Sequence, residues 1–331
     1  MTPEDRITMN DLPPFSALVA AWNEAEHVEA HIRSFLAVPV GDSELILCAG
    51  GADGTLEIAR RFSSDRVTVI EQTLGQGKQS ALRACFDLAR HDIIYLTDAD
   101  CLIDADSLVR VMAPVVDGEY HVSSGASRPF DDAMDVPLVQ YQWARDLAGF
   151  ERTGELSKGV FGRNSVITRQ ALIDVGAFDE DVATGTDYYL SMKLRRAGIA
   201  VKASKRSRVQ AEYPVNAAQY LAMWRRWVKN LMIHDPAHER RHFTQVTLIA
   251  WFFLLAPIAA IQWPLWFAPP WFAMVSIAVA NRFRDLKRAR SAGHHVAPLT
   301  MLGVPAYVVL DQLAVVAAGI DLLTLEGRRR W

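Results

Sequence analysis

Ile93-Ile94-Tyr95-Leu96-Thr97-Asp98-Ala99-Asp100 is a run of four large apolar residues that ends in two aspartates. Such a run is typical of a strand buried on both faces, as in a parallel sheet. Ligands of open α/β sheets bind beyond the carboxyl ends of the strands, where Asp98 and Asp100 fall. Two carboxylates at such a place can hold a divalent cation, which can neutralise a diphosphate. Taken alone, however, the pair is also explained as a loop cap and a solvated side chain.

The sequence before this stretch alternates short apolar runs with helical patterns. Strands are predicted at 16–20, 45–48 and 67–70, and helices at 24–36, 56–62 and 76–89. This alternation predicts an α/β fold with a Rossmann-like, doubly wound, mostly parallel sheet and right-handed crossovers.

Two glycine-containing turns open helices in this region. Residues 49–55, which include Gly50, Gly51 and Asp53, follow a strand, and their bare backbone N–H groups favour contact with an anion or nucleotide. Gly77-Lys78 brings a cation to the start of another helix. Neither turn is a dinucleotide fingerprint or a P-loop. Each turn also has an explanation without a ligand. Asp53 would cap a helix in the first turn, and Lys78 would be a solvated side chain in the second.

Charge and cysteine content restrict the class of protein. The 331 residues carry a net charge of −3, but Lys and Arg outnumber Asp and Glu by 13 to 6 from residue 217 onward. A basic, apolar C-terminal part behind an acidic head favours a membrane surface over nucleic acid as the partner. Three cysteines without paired spacing favour a reducing compartment, and the first eleven residues lack a signal-peptide core.

The C-terminal part predicts helices at a membrane. Residues 216–243 form an amphipathic pattern in which Trp224 and Trp227 alternate with Arg225 and Arg226. This pattern indicates either an interfacial helix or a soluble helix packed on the sheet. Within 244–331, the stretches at about 246–262 and 264–280 predict a membrane hairpin whose basic flanks face the cytoplasm.

A third apolar stretch at 303–323 is interrupted by Asp311 and Asp321 and is followed by the arginines at 328–330. A third crossing would place these arginines outside, against the positive-inside tendency. A tilted, re-entrant or in-plane segment is therefore favoured. The predicted domains are 1–215, 216–243 and 244–331.

An ordered set of motifs now resembles the membrane-associated family-2 glycosyltransferases, which have the GT-A fold. The motifs are Ala20-Ala21-Trp22-Asn23-Glu24, residues 49–55, Gly77-Lys78, Asp98-Ala99-Asp100, Gly162-Arg163-Asn164-Ser165, Gly176-Ala177-Phe178-Asp179, Thr186-Asp187 and Arg225-Arg226-Trp227. Apart from Gly77-Lys78, which falls at the expected interval, they are similar, in the same order, to seven patterns of the family. These patterns are P-x-Y-N-E, D-G-S-T-D-G-T, D-x-D, G-x-N-x-x-x-R, G-G-F-D-E, E-D and Q-x-x-R-W. The resemblance implies a catalytic domain at 1–215 that lies in the cytoplasm, on a multi-pass protein of the inner membrane.

The resemblance also implies roles for individual residues. Asp187, at the start of a helix, would be the general base. The residues that would bind the nucleotide sugar, most simply a UDP-sugar, are Glu24, Asp53, Lys78, Asp98, Asp100, Arg226 and Trp227. Asp98 and Asp100 would also bind Mg²⁺ or Mn²⁺, and Gly162, Asn164 and Trp224 would lie on the acceptor side. The implied reaction is inverting transfer to a lipid or lipid-linked saccharide, in glycolipid or cell-surface polysaccharide synthesis.

Departures from the family patterns leave alternatives open. Cys48-Ala49 replace an acidic pair, Thr186 replaces the Glu of E-D, and Met223 stands where Q-x-x-R-W has its Gln. The last departure argues against a processive polysaccharide synthase, which remains an alternative. A sugar nucleotidyltransferase and a non-catalytic membrane scaffold of the same fold are further alternatives.

Overall fold

A computed structural model of the chain describes residues 6–180, 182, 185–234 and 236–323. Their contacts separate two units. The first comprises Met1–Arg128 and Thr153–Glu212, and the second comprises Pro129–Arg152 and Tyr213–Trp331. Each unit has hydrophobic clusters of its own.

The described residues form nine strands and eleven α-helices. The strands are β1 (Phe15–Trp22), β2 (Glu44–Gly50), β3 (Val67–Glu71), β4 (Ile93–Leu96), β5 (Cys101–Leu102), β6 (Val122–Pro129), β7 (Leu156–Ser157), β8 (Ser165–Thr168) and β9 (Val201–Ala211). The helices are α1 (Val28–Leu36), α2 (Thr55–Arg60), α3 (Gly77–Leu88), α4 (Ala105–Val116), α5 (Pro137–Arg152), α6 (Arg169–Asp174), α7 (Thr186–Arg196), α8 (Ala217–His234), α9 (Pro236–Gln262), α10 (Pro264–Ser291) and α11 (Pro298–Leu323).

All nine strands belong to one sheet of the first unit, in the order β3-β2-β1-β4-β8-β6-β9-β5, with β7 paired to β9. β1 pairs in parallel with β2 and β4, and β2 pairs in parallel with β3. β8 then joins β4 in the antiparallel direction and continues to β6. The predicted α/β fold with a doubly wound, mostly parallel half is therefore confirmed, and the strand at 93–96 lies near its centre.

Helices cover both faces of the parallel part of this sheet, which explains the apolar runs of β1, β2 and β4. In β1, Ala17 and Val19 pack with α1, α2 and α4, whereas Leu18 between them packs with α3, α6 and α7. All three side chains are fully buried. Because successive strand residues point to opposite faces, both sets must be apolar.

The second unit is helical and includes a segment from the middle of the sequence. Trp143 and Leu147 of α5 pack against Leu286 of α10 and against Val304 and Val308 of α11. Helix α5 therefore groups with the C-terminal helices, although it falls within the predicted domain 1–215. The functional division into three domains stays a prediction.

A buried polar cluster ties four helices of the second unit together. The Asp311 carboxylate of α11 accepts hydrogen bonds from the hydroxyls of Tyr141, at 2.7 Å, and of Tyr220. It also pairs with Arg145 of α5 and Arg282 of α10, each at 3.3 Å. We call these five residues the Asp311 cluster.

Two helical segments are long and apolar enough to cross a membrane, by length and composition: Thr244–Gln262 and Pro298–Asp321. Only 17% and 28% of their most apolar windows are buried. The predicted span at 264–280 lies in α10 but is not among these two in the described chain, and prolines and tryptophans dilute its apolar residues.

The stretch at 303–323, for which a non-crossing arrangement is predicted, overlaps the second candidate span over residues 303–321. Its two aspartates have arginine partners, since Asp311 pairs as described and Asp321 lies 2.6 Å from Arg225. The arginines at 328–330, on which that interpretation partly depended, lie outside the described residues.

Candidate active site

Asp98 and Asp100 follow β4 directly and face two cations. The ammonium of Lys78, at the start of α3, donates to Asp98 Oδ1 at 2.5 Å. The guanidinium of Arg163 donates from Nη2 to Asp100 Oδ2 at 2.9 Å, and its Nε lies 3.8 Å from Asp98 Oδ2. The aspartate side chains keep 24% and 14% of their surface exposed, so a ligand can reach them.

The loops that follow β1 and β2 are locked to each other at the same edge of the sheet. Asn23 adopts a left-handed backbone, with φ of 57°, and its Oδ1 accepts from the N–H of Ala52 at 2.9 Å. Gly51, with φ of 115°, lies so close to Asn23 that a Cβ would fall 2.2 Å from this Oδ1. A side chain at residue 51 would therefore separate the two loops, which accounts for this glycine of the turn.

Asp53 serves as the tie between these loops. Its Oδ1 accepts from the hydroxyl and N–H of Thr55, at 2.6 and 3.1 Å, and its Oδ2 accepts from the N–H of Ala25 at 3.0 Å. Burial alone would raise the pKa of Asp53, but these hydrogen bonds outweigh it and hold the pKa below its usual value. Asp53 therefore bonds the first residue of α2, although Gly54 occupies the N-cap position. Nucleotide contact by Asp53 stays a prediction.

Glu24 shows that negative charge is concentrated at this edge. Burial raises the pKa of Glu24 to about 7, and the carboxylates of Asp100, Glu212, Asp98 and Asp53 add to the rise. We call these five residues the carboxylate cluster. Glu212, which follows β9, also lies 3.5 Å from the imidazole of His27. A cluster that suppresses the ionisation of one of its own members favours the binding of a cation.

Asp187 converges on the same region from α7. Gly185, with φ of 70°, precedes this helix, and Asp187 lies in its first turn. A Cβ built on Gly162 would lie 3.8 Å from Asp187 Oδ2 and 3.7 Å from the ammonium of Lys78. Burial opposes the charge on Lys78, but the carboxylates of Asp98 and Asp187 outweigh it and raise the pKa of Lys78. The bare backbone of Gly162 thus leaves a small space, in which an added carbon atom would be in van der Waals contact with Asp187 and Lys78.

The remaining predicted site residues occupy other positions. Asn164 is fully buried, and its amide donates to the carbonyl of Ala126 at 3.0 Å and to Ser207 Oγ at 2.9 Å. Its side chain therefore holds a turn in the interior, and its contact with an acceptor stays a prediction. Trp224, Arg226 and Trp227 belong to α8 of the second unit, where Arg145 stacks on Trp224 with its Cζ 4.2 Å from the ring centroid. Their roles also stay predictions.

Two residues at this edge were missed from the sequence. Arg163 is the variable residue of the Gly-x-Asn motif, and Glu212 follows a strand whose buried residues are mostly small or hydroxylated, such as Ser204 and Ser207. The alternation of Lys and Arg along 201–211 was the available signal for that strand.

The residues present fit a divalent cation. Among the described residues, no group of three or more His, Cys, Asp or Glu side chains is arranged to hold a metal. Asp98 and Asp100 nevertheless supply hard oxygen ligands, and Mg²⁺ and Mn²⁺ are commonly held by one or two carboxylates together with substrate phosphates. The carboxylate cluster provides the negative potential that such a cation needs.

Comparisons with known proteins agree with this fold. The family model described as glycosyltransferase like family 2 matches residues 13–230. Poly-β-1,6-N-acetyl-D-glucosamine synthase of Staphylococcus aureus (strain COL) is 25% identical over 203 residues, which are 59% of this chain and 49% of that protein. The synthase of the same name from Staphylococcus epidermidis is 25% identical over 199 residues, 58% of this chain and 48% of that protein. The chain thus spans about half the length of the curated relatives it matches.

A solved structure shows the same fold over nearly the whole chain. The mannosyltransferase PcManGT from Pyrobaculum calidifontis, in complex with GDP-Man and Mn²⁺, superposes with a TM-score of 0.59 and 18% sequence identity. The match covers 96% of this chain and 88% of that one. Since the family model covers more than half of the sequence, the chain belongs to the glycosyltransferase like family 2, and it has the GT-A fold.

Proposed function

We propose that this glycosyltransferase transfers a sugar, with inversion, from a nucleotide diphosphate sugar to a lipid or lipid-linked saccharide at the cytoplasmic face of the membrane. The single observation that carries the proposal is the convergence of Asp98, Asp100 and Asp187 around Lys78 and Gly162. The two parts of this site have different electrostatic roles in the proposed reaction.

The donor side is the edge that carries Asp98 and Asp100. These two carboxylates would hold Mg²⁺ or Mn²⁺, which when bound supplies positive charge to stabilise the leaving diphosphate. Lys78 adds a second positive charge next to the same oxygens. Glu24 and Asp53, which belong to the loops after β1 and β2, are proposed to contact the nucleoside, most simply uridine.

The acceptor side is the space beside Gly162. Asp187 Oδ2 faces this space, and one carboxylate is sufficient as the general base for an in-line, inverting displacement. Its role is to take the proton from the acceptor hydroxyl as the oxygen attacks the anomeric carbon. Lys78 lies on the same side, and the Asp187 carboxylate is among the charges that raise the pKa of Lys78 against the effect of burial.

The C-terminal helices support a membrane-bound acceptor. Two segments have the length and composition of membrane spans. Beyond the apolar part of α10, Arg284, Lys287 and Arg288 line a groove of ≈ 610 Å³ together with Glu151. Exposed basic residues next to apolar helices are attracted to the anionic cytoplasmic leaflet. Trp224, Arg226 and Trp227 are proposed to border the acceptor path.

The test is an assay with the purified full chain in detergent, Mn²⁺ and a panel of UDP- and GDP-sugars. Donor hydrolysis and sugar transfer to a membrane lipid extract are measured for the wild type, Asp187→Asn and Asp98→Ala. Each variant should lower the rate by roughly a hundredfold or more, an effect of about 3 kcal/mol on the barrier. Asp106→Asn is the matched control, because this aspartate pairs with Arg110 on exposed helix surface.

The outcomes separate the parts of the proposal. Near-wild-type activity in Asp187→Asn would remove its role as the base, and undiminished activity in Asp98→Ala would remove the metal site. Activity that is retained in the presence of EDTA would contradict the requirement for a divalent cation.

A processive polysaccharide synthase is the second candidate, because the curated relatives carry that name. Mass spectrometry of the products discriminates the two. We expect addition of one or a few sugars per acceptor, since Met223 departs from the Q-x-x-R-W pattern. Long polymers on few acceptors would favour the synthase.

A further inference from the structure

The guanidinium of Arg163 lies against both carboxylates that are proposed to hold the metal. It is 2.9 Å from Asp100 Oδ2 and 3.8 Å from Asp98 Oδ2, and its Nη1 donates to the carbonyl of Glu212 at 3.3 Å. A guanidinium stays protonated at any pH a protein tolerates, so its charge cannot be lost by titration. A divalent cation bound to the same two oxygens would therefore meet a fixed positive charge at close range.

The backbone of Arg163 is held firmly while its side chain is long and partly exposed. The N–H of Asn164 bonds to the carbonyl of Phe161 at 3.0 Å, and the N–H of Phe161 bonds to Ser124 Oγ at 2.9 Å. Asn164 is anchored in the interior, as described above. The Arg163 side chain keeps 27% of its surface exposed. It can therefore leave the aspartates by rotamer changes alone, without a change in the turn.

We propose that Arg163 is a displaceable counter-cation, which neutralises Asp98 and Asp100 until the donor diphosphate and its divalent cation arrive together. This inference rests on the proposed function. Before binding, Arg163 competes with the metal. After binding, the diphosphate oxygens, which suit the bidentate geometry of a guanidinium, give Arg163 a new partner.

The consequence is that metal and nucleotide bind cooperatively. The metal alone must displace Arg163 from both aspartates, and the loss of these ion pairs is a cost that weakens the binding of the metal. The diphosphate removes this cost, so each ligand strengthens the binding of the other by the same factor. A fixed salt bridge that only supports the turn would produce no such competition.

The test measures Mn²⁺ affinity by electron paramagnetic resonance on the full chain in detergent, first without nucleotide. Removing the competing charge in Arg163→Ala should tighten the binding of Mn²⁺ alone by about 5-fold or more, within the usual range of coupling between sites. Arg163→Lys keeps the charge and should stay near the wild type. Arg110→Ala is the matched control, since Arg110 bonds to Asp106 at 2.8 Å and is 25% exposed, like Arg163.

The second arm repeats the titration with saturating UDP, and separately with GDP. Nucleotide should tighten Mn²⁺ binding in the wild type by a larger factor than in Arg163→Ala. Circular dichroism and the thermal midpoint establish that each variant is folded. Unchanged or weaker binding of Mn²⁺ alone in Arg163→Ala would overturn the inference while leaving the proposed function intact. If the wild type binds no Mn²⁺ with either nucleotide, both the inference and the proposed metal site fail.

Discussion

The carboxylate cluster of the first unit and the Asp311 cluster of the second are both partly buried groups of charged residues, but their charges are balanced differently. In the Asp311 cluster, a single carboxylate accepts two tyrosine hydroxyls and pairs with Arg145 and Arg282. The two arginines of the Asp311 cluster also pair with Asp146 and Asp285. In the carboxylate cluster, burial raises the pKa of Glu24 to about 7, and the carboxylates of the other four members add to the rise. Its five carboxyl groups lie with the cations Lys78 and Arg163, so negative charge is in excess.

This difference in charge balance indicates that the Asp311 cluster serves stability and the carboxylate cluster serves ligand binding. A buried ion that has all its partners holds helices together, and removing one partner leaves uncompensated charge. A cluster with excess negative charge is less favourable in the free chain and gains stability when a cation binds. Changes in the Asp311 cluster should therefore affect stability, whereas changes around the carboxylate cluster should affect activity and ligand binding.

The largest effect is expected from Asp311→Ala. This change leaves Arg145 and Arg282 without their shared carboxylate, where side-chain exposure is 13% and 27%. We expect a loss of about 3 to 5 kcal/mol in the free energy of unfolding. Urea unfolding of the full chain in detergent, followed by circular dichroism, measures it.

Glu71→Ala is the control for Asp311→Ala, because Glu71 pairs with Arg60 at 2.8 Å while both side chains are more than half exposed. This surface pair should contribute less than about 1 kcal/mol. Equal losses of unfolding free energy in the two variants would show that the Asp311 cluster does not stabilise the packing of the helices.

A smaller, purely catalytic effect is expected from Gly162→Ala. The new Cβ would lie at ordinary contact distance, 3.5 Å, from the Cβ of Asp187, so the chain should fold normally. It would nevertheless occupy the space beside Asp187 where the acceptor is proposed to bind. We expect kcat/KM to fall by roughly tenfold or more.

Gly41→Ala controls for the loss of a glycine, since a Cβ at residue 41 meets nothing within 4 Å. Wild-type kcat/KM in Gly162→Ala, measured with the best donor of the panel, would contradict the position assigned to the acceptor.

The smallest effect concerns pH and Glu24. Its pKa is higher in the folded chain, at about 7, than the usual 4.5, so the folded state retains the proton as the pH rises between these values. The stability that this group contributes is therefore complete below pH 4.5 and is lost as the pH rises through 7. In EDTA at pH 8, Glu24→Gln should raise the thermal midpoint by about 2 to 4 °C, the change that 1 kcal/mol produces in a domain of this size.

The same substitution should have little effect on the midpoint at pH 4.5, where Glu24 is largely protonated in the folded chain. A gain at pH 4.5 that equals the gain at pH 8 would show that charge repulsion in the carboxylate cluster is not its cause.

The sequence predicted the parallel half of the sheet well because local patterns determine it. The runs at 16–20, 45–48, 67–70 and 93–96 all lie within observed strands, since residues buried on both faces must be continuously apolar. The strand Val201–Ala211 was missed because Lys202, Arg206 and Arg208 point outward and most of its inward residues are small instead of large and apolar.

Contacts between distant residues could not be predicted in this way. Arg163 and Asp100 are 63 positions apart, and the identity of Arg163 alone gives no indication of its partner. Asp311 likewise argued against a membrane span at 303–323, because the sequence does not show that partners up to 170 positions away neutralise it. The motifs therefore named Asp98, Asp100 and Lys78, whereas Arg163 and Glu212 became apparent only in three dimensions.

The most direct test of the central claim is anomalous diffraction from crystals soaked with Mn²⁺ and UDP or GDP. We predict a manganese peak roughly 2.0 to 2.3 Å from a carboxylate oxygen of Asp98 or Asp100, with the diphosphate on the same ion. The Arg163 guanidinium should then have left both aspartates. Manganese bound elsewhere, with Arg163 still paired to Asp100, would contradict the claim that this excess of carboxylates forms the donor site.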